Sequence, residues 1–193
     1  MNLRRIGQLR AAPNQLTLLR LCIIPFLVLS IFDHHYRTAF ALFILAGITD
    51  GLDGLLARML KQRTVLGQYL DPVADKLLLS TLFLVLHHEG LISLRVTVLV
   101  FGRDLGIIMV AAILYASVGM RDFRPSLFGK ANTLAQITAL LTVILSMFYA
   151  PPLVLLVKYW SLVATVVFTV VSGFHYAWLI TRRLSSSATP VSD

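Results

Sequence analysis

The sequence predicts an all-α integral membrane protein: six transmembrane helices preceded by a short N-terminal interfacial amphipathic helix. Three observations carry this. The 193 residues are 58% hydrophobic and 13% charged, with a mean hydropathy of +0.82. Apolar runs of membrane-crossing length recur along the whole chain, more than one soluble core could bury. The net charge of +8 gathers at the ends of those runs, as membrane orientation requires. No nucleic-acid-binding motif accompanies it. The length fits one domain. Residues 1–184 are read as that membrane domain and the Ser-rich residues 185–193 as a disordered tail.

Residues 1–11 place Leu3, Ile6 and Leu9 near one face, with Arg4, Arg5 and Arg10 among them. That pattern suits a helix lying on anionic lipid. The run from Leu16 to Phe32 is long and no small-residue cleavage site follows it, so it reads as a retained first span rather than a signal peptide. Pro13-Asn14 opens it. The spans are expected at about 15–32, 38–59, 72–88, 92–116, 131–149 and 153–180. The third has a polar start, Asp71 to Lys76, which must be lined by protein rather than lipid.

Arg4, Arg5, Arg10 and Arg20 precede or open span one; Arg58, Lys61 and Arg63 lie between spans two and three. Arg121, Arg124 and Lys130 lie between spans four and five, and Arg182 and Arg183 follow span six. The other side has only Arg37, Arg95 and Lys158. The bias places both termini on the cytoplasmic side of a multi-pass protein, expected in a bacterial inner membrane. Cys22 has no partner for an internal disulfide and reads as a packing residue. His34, His35, His87 and His88 fall on the far side and read as loop residues.

The chemistry concentrates between Asp50 and Asp75. Asp50 and Asp53 are three residues apart, Asp71 and Asp75 four apart, so each pair shares a helix face. A hairpin of spans two and three brings both pairs to one depth. A carboxylate at the bilayer centre costs about 2.5–3.5 kcal/mol on insertion scales. Four together need positive partners. Ion pairs with Arg58, Lys61, Arg63 and Lys76 would balance charge, and Asp71 before Pro72 could simply cap a helix. Neither explains two same-face pairs flanked by Gly54 and Gly67; bound divalent cations do. Ion-coupled transport is a rival use of intramembrane carboxylates, but these gather at one end of two helices.

The pattern Asp50-x2-Asp53-Gly54-x2-Ala57-Arg58-x8-Gly67-x3-Asp71-x3-Asp75 resembles the signature of the CDP-alcohol phosphotransferase family at every specified position. That resemblance implies a homodimeric six-span enzyme that displaces CMP from a CDP-linked donor with an alcohol. It implies two divalent cations, Mg2+ or Mn2+, held by Asp50, Asp53, Asp71 and Asp75, with Asp75 also the general base. It places Asn14, Gly54, Arg58, Thr64 and Gly67 along the CDP-diacylglycerol donor. The all-oxygen donor set suits hard cations, and Arg58 can fork onto phosphate. Phe101-Gly102-Arg103-Asp104 and the stretch from Pro125 to Thr133 resemble the cardiolipin synthase branch, whose acceptor is phosphatidylglycerol. Glycerol-3-phosphate, the acceptor of phosphatidylglycerophosphate synthases, is the alternative. Arg103, Arg124 and Lys130 are the cations expected to meet the acceptor phosphate, although Arg103 could instead pair with Asp104 or with an aspartate of the cluster, and Lys130 anchor the interface.

Overall fold

The computed structural model describes residues 12–59, 65–118 and 127–187; within them some helical residues, Asp53, Gly54 and Arg58 included, are described as backbone only. The expected interfacial helix at residues 1–11, Thr64 and Arg124 lie outside the described residues. Among those described there are six helices and no strand: α1 (Ala12–Phe32), α2 (Tyr36–Met59), α3 (Val65–His88), α4 (Leu94–Val118), α5 (Leu127–Ser146) and α6 (Pro152–Ser187).

The helices fall into two units. The first holds α1, α2, α3 and residues 140–155; the second holds α4, residues 127–139 and α6 from 156 onward. In the first unit α1 packs against both α2 and α3. Each of these helices carries one buried stripe with a helical period. On α1 the stripe is Asn14, Thr17 and Arg20, then Ile23, Leu27 and Ile31. On α2 it is Ala39, Phe43 and Ala46, and one further turn brings Asp50. On α3, Asp71 and Asp75 precede buried Leu78, Leu79, Leu82 and Leu86. The stripes are apolar at one end and polar at the other. Because successive helices reverse direction, the three polar halves come together, and the apolar halves form the core that fixes them.

The outward faces are apolar instead. Phe26, Leu29, Leu84, Leu134, Trp160 and Phe174 are exposed, while Arg20, Asp104, Asn132 and Gln136 are buried. Apolar outside and polar within is the arrangement a lipid solvent selects. By length and composition three helices can cross a membrane: Asn14–Phe32, Leu127–Ser146 and Pro152–His175. The other three are as long, at 24, 24 and 25 residues, but carry the charges discussed above.

Two boundaries differ most from the sequence reading, the start of α3 and the end of α6. α3 begins at Val65, so Asp71 lies inside the helix rather than capping it, and Pro72 is an interior proline. A proline there has no N–H to give to the preceding turn. α3 ends at His88, where the sequence reading put it, and the chain turns at Gly90, whose φ of 72° suits glycine, with Leu91 N–H bonded back to the Leu86 carbonyl at 2.8 Å. α6 runs through Ser187, so the first three residues of the expected tail are helical.

The histidines sit at the opposite end of these helices from the aspartates. His34 Nδ1 is 2.9 Å from the Tyr36 hydroxyl, and His87 Nδ1 is 3.0 Å from the Ile92 carbonyl. Partial burial, and then the charge of Glu89, raises the Tyr36 phenol above its usual pKa of 10.0.

Candidate active site

The polar end of the first unit gathers three carboxylates around α1. Arg20 is fully buried, yet its Nη1 lies 2.8 Å from Asp50 Oδ1 on α2. The same nitrogen donates to Asp75 Oδ1 on α3. One turn earlier, Thr17 Oγ1 donates to Asp71 Oδ1 at 2.6 Å. Asn14, another turn back, is buried on the same face, and Gly67 is buried on α3. The spacing Asn14, Thr17, Arg20 is three and three, which keeps all three side chains on the face α1 turns towards its neighbours.

The hairpin expectation is therefore met for the three carboxylates whose side chains are described. Asp50, Asp71 and Asp75 come from α2 and α3 to one end, tied there by α1. The counter-charge comes from an unexpected source. Arg20 stood in the sequence only as one of the charges that orient the chain, and pairing with Arg58, Lys61, Arg63 or Lys76 was the structural alternative. The signal was present: an arginine four residues inside an apolar run is too deep for an interface anchor, so it must face protein. Thr17, likewise unassigned, shares its face.

The Asp50 and Asp75 side chains keep 48% and 45% of their surface open, so a dissolved cation can reach them. The donors are hard oxygens throughout, the set that Mg2+ or Mn2+ takes. Among the described residues no three His, Cys, Asp or Glu side chains are grouped closely enough to hold an ion together.

The second unit has a polar layer of its own. Arg103 Nη1 donates to Asp104 Oδ1 at 2.7 Å, and Arg103 Nε to Ser172 Oγ at 3.0 Å. Both ends of the ion pair are nearly sealed, at 8% and 5% exposure. Thr169 Oγ1 donates to Asn132 Oδ1 at 3.0 Å. Ser161, Thr165, Thr169 and Ser172 form a buried hydroxyl stripe on α6. Arg103 is thus paired with its neighbour Asp104. Lys130 is exposed at the start of α5.

The family model described as CDP-alcohol phosphatidyltransferase matches residues 10–171. A human cardiolipin synthase (CMP-forming) is 39% identical over 104 residues, 53% of this chain and 34% of the human protein. A probable phosphatidylglycerophosphate synthase of Mycobacterium tuberculosis is 38% identical over 134 residues, 66% of this chain and 62% of that protein. A CDP-diacylglycerol–glycerol-3-phosphate 3-phosphatidyltransferase of Haemophilus influenzae is 36% identical over 134 residues, 66% of this chain and 72% of that protein. The match thus spans about a third of the human protein's length. Nothing in these similarities supports ion-coupled transport.

Proposed function

This chain belongs to the CDP-alcohol phosphatidyltransferase family, and on that premise we propose that it moves a phosphatidyl group from CDP-diacylglycerol to a glycerol-type alcohol, releasing CMP. The observation that carries the proposal is the convergence of Asp50, Asp71 and Asp75 on Thr17 and Arg20. Signature carboxylates from two helices share one end of the first unit, with Asp50 and Asp75 about half open to solvent.

The family is generally divalent-cation dependent. Asp50, Asp53, Asp71 and Asp75 are the residues that would hold two ions, Mg2+ or Mn2+. When bound, such ions offset charge on the pyrophosphate oxygens during displacement. Asp75 takes the proton from the acceptor hydroxyl as its oxygen bonds to the phosphorus carrying diacylglycerol. The phosphorus–oxygen bond to CMP breaks, and CMP leaves with that electron pair. Arg58 forks onto a donor phosphate. Asn14, Gly54, Thr64 and Gly67 line the nucleotide, with Gly54 letting it approach the backbone.

All six helices span the bilayer in this reading. A helix of 24 residues is about 36 Å long, enough to cross the hydrocarbon. The Lys and Arg bias puts both termini and the carboxylates on the cytoplasmic side, where a soluble nucleotide is released. A homodimer in a bacterial inner membrane completes the assembly.

The acceptor we propose is phosphatidylglycerol, giving cardiolipin; its support is the Arg103-Asp104 and Lys130-Ala131-Asn132 pattern together with the human relative. Glycerol-3-phosphate is the second reading, favoured because relatives of that specificity match more of the chain. Arg103, Arg124 and Lys130 are the cations that meet the acceptor phosphate in this reading. Purified protein is to be given CDP-diacylglycerol with each acceptor, CMP release followed and the lipid product weighed. Cardiolipin supports the first acceptor and phosphatidylglycerophosphate the second. No CMP with any glycerol-type acceptor rejects the function.

A further inference from the structure

Arg20 is the largest fully buried side chain among the described residues. Its Nη1 serves two carboxylates at once, Asp50 at 2.8 Å and Asp75 alongside. We infer that Arg20 is an internal counter-cation: it holds Asp50 and Asp75 together while the site is unloaded, and yields them when a divalent cation enters. The inference rests on the proposed role of those aspartates as metal ligands.

The argument is electrostatic. Two carboxylate oxygens that share one nitrogen are close neighbours on separate helices, and without a cation between them they would repel. Burial makes the Arg20 charge hard to withdraw into water. Exchange for another cation on the same oxygens relieves the pair without moving the helices. The exchange is local. Each carboxylate has a second oxygen, and both side chains are about half open, so a cation can approach from solvent while α1 stays packed through Ile23, Leu27 and Ile31. Thr17 keeps Asp71 in place during the exchange, because a hydroxyl bond to one oxygen leaves the other available. A purely structural Arg20 would behave otherwise: the ion would bind around it, and its removal would loosen the ligands.

The two cases give opposite signs in one measurement. Mn2+ binding to the purified, substrate-free protein is followed by the electron paramagnetic resonance of free Mn2+. Removing a competing unit charge from contact distance should strengthen binding in Arg20→Gln by at least about tenfold, while Arg20→Lys stays within about threefold of the parent. Unchanged or weaker binding in a folded Arg20→Gln protein overturns the inference. Should that variant fail to fold, the parent protein decides. With 15N-labelled arginine, the Arg20 Nε–H resonance, identified by its loss in Arg20→Lys, should shift as Mg2+ is added. A resonance unmoved at saturating Mg2+ overturns the inference too. CMP release by the parent is measured on the same preparation. Its absence is a failure of the proposed function, whereas turnover with unmoved Mn2+ affinity is a failure of this inference alone.

Discussion

Thr17 Oγ1 donates to Asp71 Oδ1 across 2.6 Å and 54 residues of chain. The bond ties the first helix to the third at a residue interior to that helix, one position before Pro72. A hydrogen bond to a charged acceptor contributes about 1.5–3 kcal/mol. Its removal here acts on where the carboxylate points more than on whether the protein folds. Thr17→Val keeps the shape and deletes the donor. It should lower kcat/KM by about ten- to a hundredfold, with Thr17→Ser restoring most of it. Equal rates for Val and Ser would mean that Asp71 needs no positioning by α1.

Asp50→Asn and Asp71→Asn should each abolish turnover while the protein still inserts and purifies. The carboxamide is nearly isosteric but lacks the charge that a hard cation requires. Both residues sit at the polar ends of stripes whose apolar halves make the core, so folding does not hang on them. Full activity of either variant in magnesium-containing buffer would remove it from the ligand set.

Asp75→Asn separates the base from its fellow ligands. Loss of a positioned base costs about 10²–10⁴-fold in rate. Donor binding, measured by CDP-diacylglycerol competition, should suffer less than in Asp53→Asn. If donor affinity collapses while turnover at saturation is normal, Asp75 is a ligand and the proton leaves by another route.

Much of this was legible in the sequence because membrane helices obey few rules. Hydropathy located all six helices found among the described residues, and the ends of α1 and α2 lie within a few residues of expectation. The start of α3 was missed because Val65 to Leu70 carries Gly67 and Gln68 before an Asp-Pro pair, which reads as a loop until tertiary packing overrides it. The carboxylate cluster was legible from spacing, since a helical period turns three- and four-residue gaps into shared faces. Its counter-charge was not. Counting Arg20 with the interfacial arginines discarded the one fact that mattered, its depth in the apolar run. The hydroxyl stripe on α6 also escaped notice. Ser161, Thr165, Thr169 and Ser172 are spaced among many apolar residues, and hydroxyls that bond their own helix, as Thr165 does to the Ser161 carbonyl, barely mark hydropathy.

The Arg103–Asp104 pair gives the remaining prediction. Adjacent residues on a helix point roughly 100° apart, so an ion pair between neighbours needs the arginine to fold back along α4. It does so with Nη1 on Asp104 and Nε on Ser172 of α6, which makes the pair a tie between two helices of the second unit. Deleting one charge from a buried pair strands the other, at a cost of about 3–5 kcal/mol. Arg103→Met should therefore lower thermal stability in detergent sharply, and Asp104→Leu likewise. The double variant should recover most of the loss, because neither charge is then left without its partner. Ser172→Ala should cost less, since it removes only a neutral acceptor. An acceptor role would look different. Arg103→Met would then raise the acceptor KM severalfold at near-parental stability, and the double variant would be no better than the single. Measuring stability and acceptor KM on the same four variants decides whether Arg103 builds the second unit or serves the substrate.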